Sequence, residues 1–253
     1  MRLRAFGATD VGKKRTNNED AFTLSPEHGL YVVADGMGGH SSGEVASQLA
    51  VSHINSFFDR HKLDKDSTWP YPYEEELSFP ANKVRTAISV ANDRIQHYSV
   101  EHPESRGMGT TVVAALVDGD DLVICHVGDS RAYLFSGDKL SLLTADHSWV
   151  SEQVRQGLLS DEEASRHPLR NVITKALGTR DQAEADVMQH KLATGERVIL
   201  CTDGLNSMVP DIDIAQVLGR KLDLEDTCKA LIALANEKGG EDNITLIILE
   251  RVD

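Results

Sequence analysis

The stretch Thr111–Leu143, TVVAALVDGDDLVICHVGDSRAYLFSGDKLSLL, decides the fold class. It breaks into four short strand-forming runs: Thr111 to Val117, Leu122 to Val127, Arg131 to Phe135 and Lys139 to Leu143. Asp118-Gly119 and Ser136-Gly137-Asp138 punctuate them with hairpin-turn chemistry. No run is followed by a helical pattern before the next strand begins. The spacing is therefore that of an antiparallel meander and not of alternating βαβ units.

Working outward, the runs Leu30 to Ala34, Arg197 to Cys201 and Ile244 to Glu250 add further strands. Helical patterns flank them. Ser41 and Glu44 have capping-box spacing, and Val45, Leu49, Ile54 and Phe57 fall near one face of the helix that follows. Val84, Ile88, Ala91, Ile95 and Tyr98 form a second apolar stripe. Two late helices are expected over 211–219 and 224–238, the second ending at Gly239-Gly240 as a C-cap. Between the early helices, 60–80 carries three prolines with Trp69, Tyr71 and Tyr73, and reads as a long surface connection packed on itself. Residues 147–180 are polar, helical and poor in strand formers, with a capping box at Ser160 and Glu163. The pattern is α+β: sheets carrying helices on their outer faces.

The chain has 253 residues, a length suited to one large domain or two small ones. Its formal charge of -14 argues against non-specific nucleic-acid binding, which needs a basic footprint. No apolar run approaches the roughly 20 residues of a membrane helix, and Met1-Arg2-Leu3-Arg4 lacks the apolar stretch of a signal peptide. Cys125, Cys201 and Cys228 lie far apart, with no metal spacing and no disulfide framework. They read as small core residues in a reducing cytoplasm.

Acidic positions recur at the ends of the strand runs. Asp35-Gly36 follows Leu30 to Ala34, Gly128-Asp129-Ser130 follows Leu122 to Val127, and Asp203-Gly204 follows Val198 to Thr202. Asn18-Glu19-Asp20 and Asp242-Asn243 complete the set. A carboxylate at a strand end, next to Gly or Asn, can turn out of a sheet toward a shared point. Hard oxygen ligands meeting there suit Mg²⁺ or Mn²⁺. Two divalent ions can hold one water between them and lower its pKa, so hydroxide attacks a phosphorus in line without a Ser, Cys or His nucleophile.

Six motifs occur in order: Arg15-x-x-Asn18-Glu19-Asp20, Val33-Ala34-Asp35-Gly36-Met37-Gly38-Gly39-His40, Gly107-Met108-Gly109-Thr110-Thr111, Val127-Gly128-Asp129-Ser130-Arg131, Thr202-Asp203-Gly204-Leu205 and Glu241-Asp242-Asn243-Ile244-Thr245. Together, from about Gly7 to Leu249, the chain resembles the bacterial branch of the metal-dependent protein phosphatases, the PPM or type 2C serine/threonine phosphatases. The resemblance implies a four-layer α-β-β-α sandwich of two antiparallel sheets flanked by helix pairs, with one domain over 1–253 and a flap near 147–180.

The resemblance also implies roles at matching positions. Asp35 would bridge two ions, with Asp203 and Asp242 completing one ion's shell. The Gly36 carbonyl and the Glu19-Asp20 pair would serve the other, directly or through water. Asp129, with Asp203, resembles a third-ion site. Arg15 is the phosphate clamp, because its planar fork matches two phosphate oxygens. Many eukaryotic members carry His directly after the second motif's Asp-Gly. Here Met37 stands there and His40 lies three residues on. His40 is the candidate to aid substrate binding or proton transfer, the alternatives being packing at the next helix start or acid catalysis by a third-ion water. Thr110 and Thr111 are expected either to be structural or to orient carboxylates, Ser130 and Arg131 to fix the hairpin, His147 to be structural and His126 to belong to core or sheet surface.

The function implied is hydrolysis of phosphoserine and phosphothreonine in proteins, opposing a eukaryotic-like bacterial serine/threonine kinase. The expected partners are phosphoproteins and that kinase, for a cytoplasmic monomer that uses no nucleic acid and no membrane. A phosphoprotein-binding module without activity would have lost an acidic ligand, and none is lost. The acids alone also permit hydrolysis of another phosphate ester.

Overall fold

The computed structural model describes residues 2–38, 42–60, 68–179 and 184–252. Two antiparallel sheets lie face to face between two pairs of helices. One sheet runs β1-β11-β10-β7-β8, from β1 (Arg2–Asp10), β11 (Ile244–Val252), β10 (Arg197–Cys201), β7 (Arg131–Ser136) and β8 (Lys139–Leu142). The other runs β2-β3-β5-β6-β9, from β2 (Asp20–Ser25), β3 (Leu30–Met37), β5 (Val112–Asp118), β6 (Asp121–Val127) and β9 (Asp186–Lys191), with the short β4 (Gly109–Thr110) pairing the end of β3. Helices α1 (Ser42–Arg60) and α2 (Phe79–Glu101) cover this second sheet. Helices α6 (Asp211–Gly219) and α7 (Leu224–Glu237) cover the first.

Side-chain alternation explains why the central strands read as unbroken apolar runs. Leu30, Val32 and Ala34 of β3 point into the core under α1 and α2, while Tyr31 and Val33 point between the sheets. Strand β10 does the same: Ile199 and Cys201 pack under the late helices, Val198 and Leu200 between the sheets. Both faces of each central strand are therefore buried, and polar alternation has no place in them. The four layers expected from the sequence are present.

The meander is corrected in one respect. The two hairpins form as expected, and Gly137 and Asp138 both adopt positive φ, 54° and 66°, in the tight turn between β7 and β8. The connection between the hairpins, Gly128 to Ser130, leaves one sheet and enters the other. β1, β2 and β9 were not expected, and their residues are mostly half-buried or exposed.

In α1 the buried face is Ala46, Ala50, Ile54 and Phe57, with Val45 and Leu49 at its margin. Small alanines let the helix approach β3 closely. The α2 stripe is buried as expected at Val84, Ile88, Ala91 and Ile95, and Tyr98 is partly buried. The connection before α2 packs locally: Trp69 lies edge-on to Tyr73 and Phe79, and the Tyr71 hydroxyl donates to Asp93. Residues 147–179 hold two short helices, α3 (Trp149–Arg155) and α4 (Asp161–Ser165), and the capping box at Ser160 and Glu163 is formed. The three cysteines are free and buried. Among the described residues no helix is long and apolar enough to cross a membrane.

Candidate metal centre

The acids converge where strand ends meet at one edge of the sandwich. Asp20 opens β2 and stands opposite Asp35 in the β2–β3 register. The Asp35 peptide is fixed by threonines: its N–H donates to Thr111 Oγ1 (3.1 Å), and its carbonyl accepts from Thr110 Oγ1 (2.8 Å) and the Thr111 N–H (2.9 Å). Thr110 and Thr111 thus hold the backbone of Asp35. Of the two roles open to them, these bonds are the structural one, and a carboxylate is held instead by Thr202, whose Oγ1 donates to Asp20 Oδ2 at 3.0 Å.

Gly36 follows Asp35 within β3, where a Cβ would lie 2.0 Å from the Gly43 carbonyl oxygen. That close approach seats the first turn of α1 beside the site. A Cβ on Gly43 would stand 2.9 Å from Glu19 Oε2, so the Glu19 carboxylate lies against this helix start. The Glu19 carbonyl accepts from Gly36 N–H (3.1 Å) and Ser47 Oγ (2.6 Å).

Asp203 begins α5 (Asp203–Asn206) directly after β10, and Asp242 precedes β11. Gly204 joins these two segments, since a Cβ there would overlap the Asn243 carbonyl oxygen at 2.0 Å and reach Asp242 Cβ at 3.5 Å. Asn243 is a residue whose part the sequence hid. Its Oδ1 accepts from the Glu19 N–H (2.8 Å), and its Nδ2 donates to the carbonyls of Val11 and Asn17 (both 2.9 Å). It ties the loop carrying Arg15 to the Asp242 turn. Arg15 Nη2 lies 2.7 Å from Asp242 Oδ2, with its side chain half exposed at the rim.

Asp129 sits in the crossing between sheets. Ser130 Oγ is 2.7 Å from Thr111 Oγ1, which also accepts from the Asp35 N–H, so one threonine ties the backbone of Asp35 to the residue after Asp129. Arg131 forms a fork with Asp146, Nε to Oδ1 at 2.9 Å and Nη2 to Oδ2 at 2.7 Å. Both residues fix the start of β7, as expected. A cleft of about 600 Å³ runs from Asp129 and Asp203 past Asn206 and Ser207 to Arg155 and Arg170 of the 147–179 segment. His40, the Ser41 cap and Arg180, the last residue of the expected 147–180 flap, lie outside the described residues.

The electrostatics are those of carboxylates packed without enough cations. Burial, then the charges of Asp20, Asp203, Asp129 and Asp242, push the Asp35 carboxyl well above its usual range. Burial lifts Asp20 to about 7 against the lowering effect of its threonine hydrogen bonds, and lifts Asp129 to about 7 with help from Asp203. Asp203 is raised by burial and by Asp242, and Glu19 by burial. The Oδ1 atoms of Asp129 and Asp203 are buried without a hydrogen-bond partner. Orphaned carboxylate oxygens beside several mutually repelling acids fit hard divalent cations.

The protein phosphatase 2C family model matches residues 11–242. The chain is 37% identical over 252 residues to the serine/threonine phosphatase stp of Listeria innocua, covering 98% of this chain and 96% of that protein. It is 33% identical over 248 residues to protein phosphatase PhpP of Streptococcus pneumoniae, covering 95% and 94%. The crystal structure of the Mycobacterium tuberculosis serine/threonine phosphatase PstP/Ppp superposes with a TM-score of 0.87 at 33% identity, over 99% of both chains. The catalytic domain of serine threonine protein phosphatase PstP in complex with two manganese ions gives 0.85 at 33% identity, again over 99% of both.

Proposed function

This chain belongs to the protein phosphatase 2C family, and from that premise we propose that its carboxylate cluster holds the ions with which it removes phosphate from proteins. It is a metal-dependent protein-serine/threonine phosphatase. The observation that carries the site assignment is the cluster itself: mutually repelling acids from five distant segments, with buried oxygens left unpartnered at Asp129 and Asp203.

Asp35 would be shared by two ions, with Asp203 and Asp242 completing the shell of one. Glu19, Asp20 and the Gly36 carbonyl would serve the other, directly or through water. Asp129, with Asp203, would hold a third. Mn²⁺ and Mg²⁺ both accept such oxygen shells, and the two manganese ions of the PstP complex favour Mn²⁺ at two positions. When bound, the ions supply Lewis acidity toward the phosphate and a water acidic enough to act as nucleophile near neutral pH.

The chain's own groups do the rest. Arg15, at the rim and only half buried by its pairing with Asp242, can turn its fork to two phosphate oxygens. His40 is the candidate to bind substrate or move a proton to the leaving alkoxide. The chain works as one catalytic domain over 1–253. Residues 147–180 form its flap, and the cleft ending at Arg155 and Arg170 receives peptide beside the phosphorylated residue. Its substrates are phosphorylated proteins. It acts in the cytoplasm as a monomer opposing a serine/threonine kinase, and its charge of -14 disfavours nucleic acid.

The deciding experiment is phosphate release from a phosphothreonine peptide with and without Mn²⁺, for the wild type and Asp203→Asn. The expected result is strict metal dependence and a loss in the variant of at least about 100-fold, roughly 2.7 kcal/mol of barrier. Activity that survives chelation, or an unimpaired variant, overturns the assignment.

A further inference from the structure

Behind Asp129 stands a column of three groups: His126 on β6, His147 at the start of the 147–179 segment, and Asp186 opening β9. His126 and Asp186 are register partners across β6 and β9. The two imidazoles are buried and stack at 4.8 Å between centroids, 11° from parallel. His147 Nε2 lies 3.3 Å from Asp186 Oδ2.

One ligand atom from each of the three lies within 4.8 Å of the others, the spacing of a metal site. The hydrogen bonds decide otherwise. His147 Nδ1 accepts from the Gly128 N–H at 3.1 Å, so the neutral ring carries its proton on Nε2, which lies 3.3 Å from Asp186 Oδ2 without closing a hydrogen bond. That nitrogen has no lone pair to give a cation. His126 Nε2 faces the Ala145 carbonyl at 3.0 Å and donates to it. One nitrogen of each ring is thus engaged by the backbone.

The commitment of His147 has a direction. Its ring takes the Gly128 N–H, and its own backbone N–H donates to the Gly128 carbonyl at 3.0 Å. Gly128 is thus gripped on both of its polar groups by one residue. It is held at φ 108°, where a Cβ would also come within 2.6 Å of Thr111. The residue that leaves this clamped glycine is Asp129. We propose that His147 is a positioning residue for Asp129: its Nε2–H tautomer, favoured by Asp186, sets the Gly128 backbone and so aims the Asp129 carboxylate at its ion. The same residue carries the first bond of the 147–179 segment, whose Thr174 N–H donates to the His147 carbonyl at 2.8 Å. The inference rests on the assignment of Asp129 to the third ion.

Calorimetric titration with Mn²⁺ tests it, on the wild type, Asp129→Asn, His147→Leu and His147→Asn, with melting temperatures taken alongside. Asp129→Asn is expected to lose one class of site. His147→Leu should weaken that same class by about 10- to 100-fold and leave the other sites at wild-type affinity, the usual cost of removing a group that orients a ligand. His147→Asn, whose amide oxygen can stand where Nδ1 stands, should recover most of it even though the ring stacking is lost. If Asp129→Asn keeps every site, the third-ion assignment falls, and the proposal with it. If Asp129→Asn loses a site while His147→Leu keeps that site at wild-type affinity and only melts lower, His147 is merely structural and the proposal alone falls. The tautomer can also be read in the unaltered protein by ¹⁵N NMR of the imidazole. An Nε2–H signature at pH 7 supports the assignment, and an Nδ1–H or charged ring overturns it even if the variants fail to fold.

Discussion

The acid-bearing edge of the sandwich and the 147–179 segment are neighbours built on opposite plans. At the edge, supports come from far along the chain: Thr202 holds Asp20 across 182 residues, Asn243 holds Glu19 across 224, and Thr111 holds Asp35 across 76. In the segment they are local. Ser148 caps Ser151, Ser160 caps Glu163, and His167 Nδ1 accepts from the Leu169 N–H, all within three residues. The segment is fastened at its ends, by the bridges of Ser148 with Ile173 and Thr110 with Leu177. Long-range bonds fix a geometry that chemistry needs to within fractions of an ångström, whereas local caps fold a piece that can vary without disturbing its neighbour.

Two glycines test that contrast at its largest. Gly204→Ala forces a methyl into the Asn243 carbonyl, and should cost about 3 kcal/mol or more, with loss of Mn²⁺-dependent activity. Gly157, between α3 and α4, has open space around it but φ 72°, so Gly157→Ala should cost only about 1–2 kcal/mol and leave aryl phosphate hydrolysis intact. Thermal melting and p-nitrophenyl phosphate turnover measure both, and equal losses would break the comparison.

Replacing residues 149–171 by a short Gly/Ser turn is the next test. The Ser148–Ile173 bridge brings the two ends together, so a short turn can close the gap. The expected result is a fall in kcat/KM of at least about tenfold on a phosphopeptide beyond any fall on the aryl phosphate, roughly 1.4 kcal/mol of lost peptide contact. Equal falls on both substrates would show that the segment acts on the chemistry itself.

The smallest effect is electrostatic and belongs to the acid edge alone. Asp20 and Asp129 have folded-state pKa values raised from 3.8 to about 7. The folded protein therefore binds more protons than the unfolded chain between about pH 4 and 7, and without metal its stability falls as pH rises through that window. Chelated protein should melt a few degrees lower at pH 8 than at pH 5, with a larger gain from Mn²⁺ at pH 8. A higher chelated melting temperature at pH 8 would overturn this account.

The difference between the regions also explains what could be read from the residues. The central strands declared themselves because burial on both faces leaves runs such as Leu30 to Ala34 with no polar interruption. Asp35, Asp129 and Asp203 were legible because they follow such runs next to Gly. β1, β2 and β9 escaped because they are half-buried or exposed, so their alternation is faint. The sheet change at Gly128 to Ser130 is invisible locally, since each hairpin looks the same in either sheet. Thr202 and Asn243 carry no local mark of their work, because a lone Thr or Asn shows its purpose only when a partner about two hundred residues away is in place.

The pairing of β1 with β11, in which Arg2 meets Val252, has a consequence for the time course of the protein's making. Strand β1 cannot find its neighbour until β11, which follows it by most of the described residues, has been synthesised. Asp20 likewise waits for Thr202, and Asp35 for Asp203. A nascent chain therefore carries most of its acids long before they meet, and contacts of such long sequence separation form slowly. On the proposed assignment, a nascent chain that has not yet reached Asp203 and Asp242 would lack part of its metal centre, and hydrolysis would wait for them.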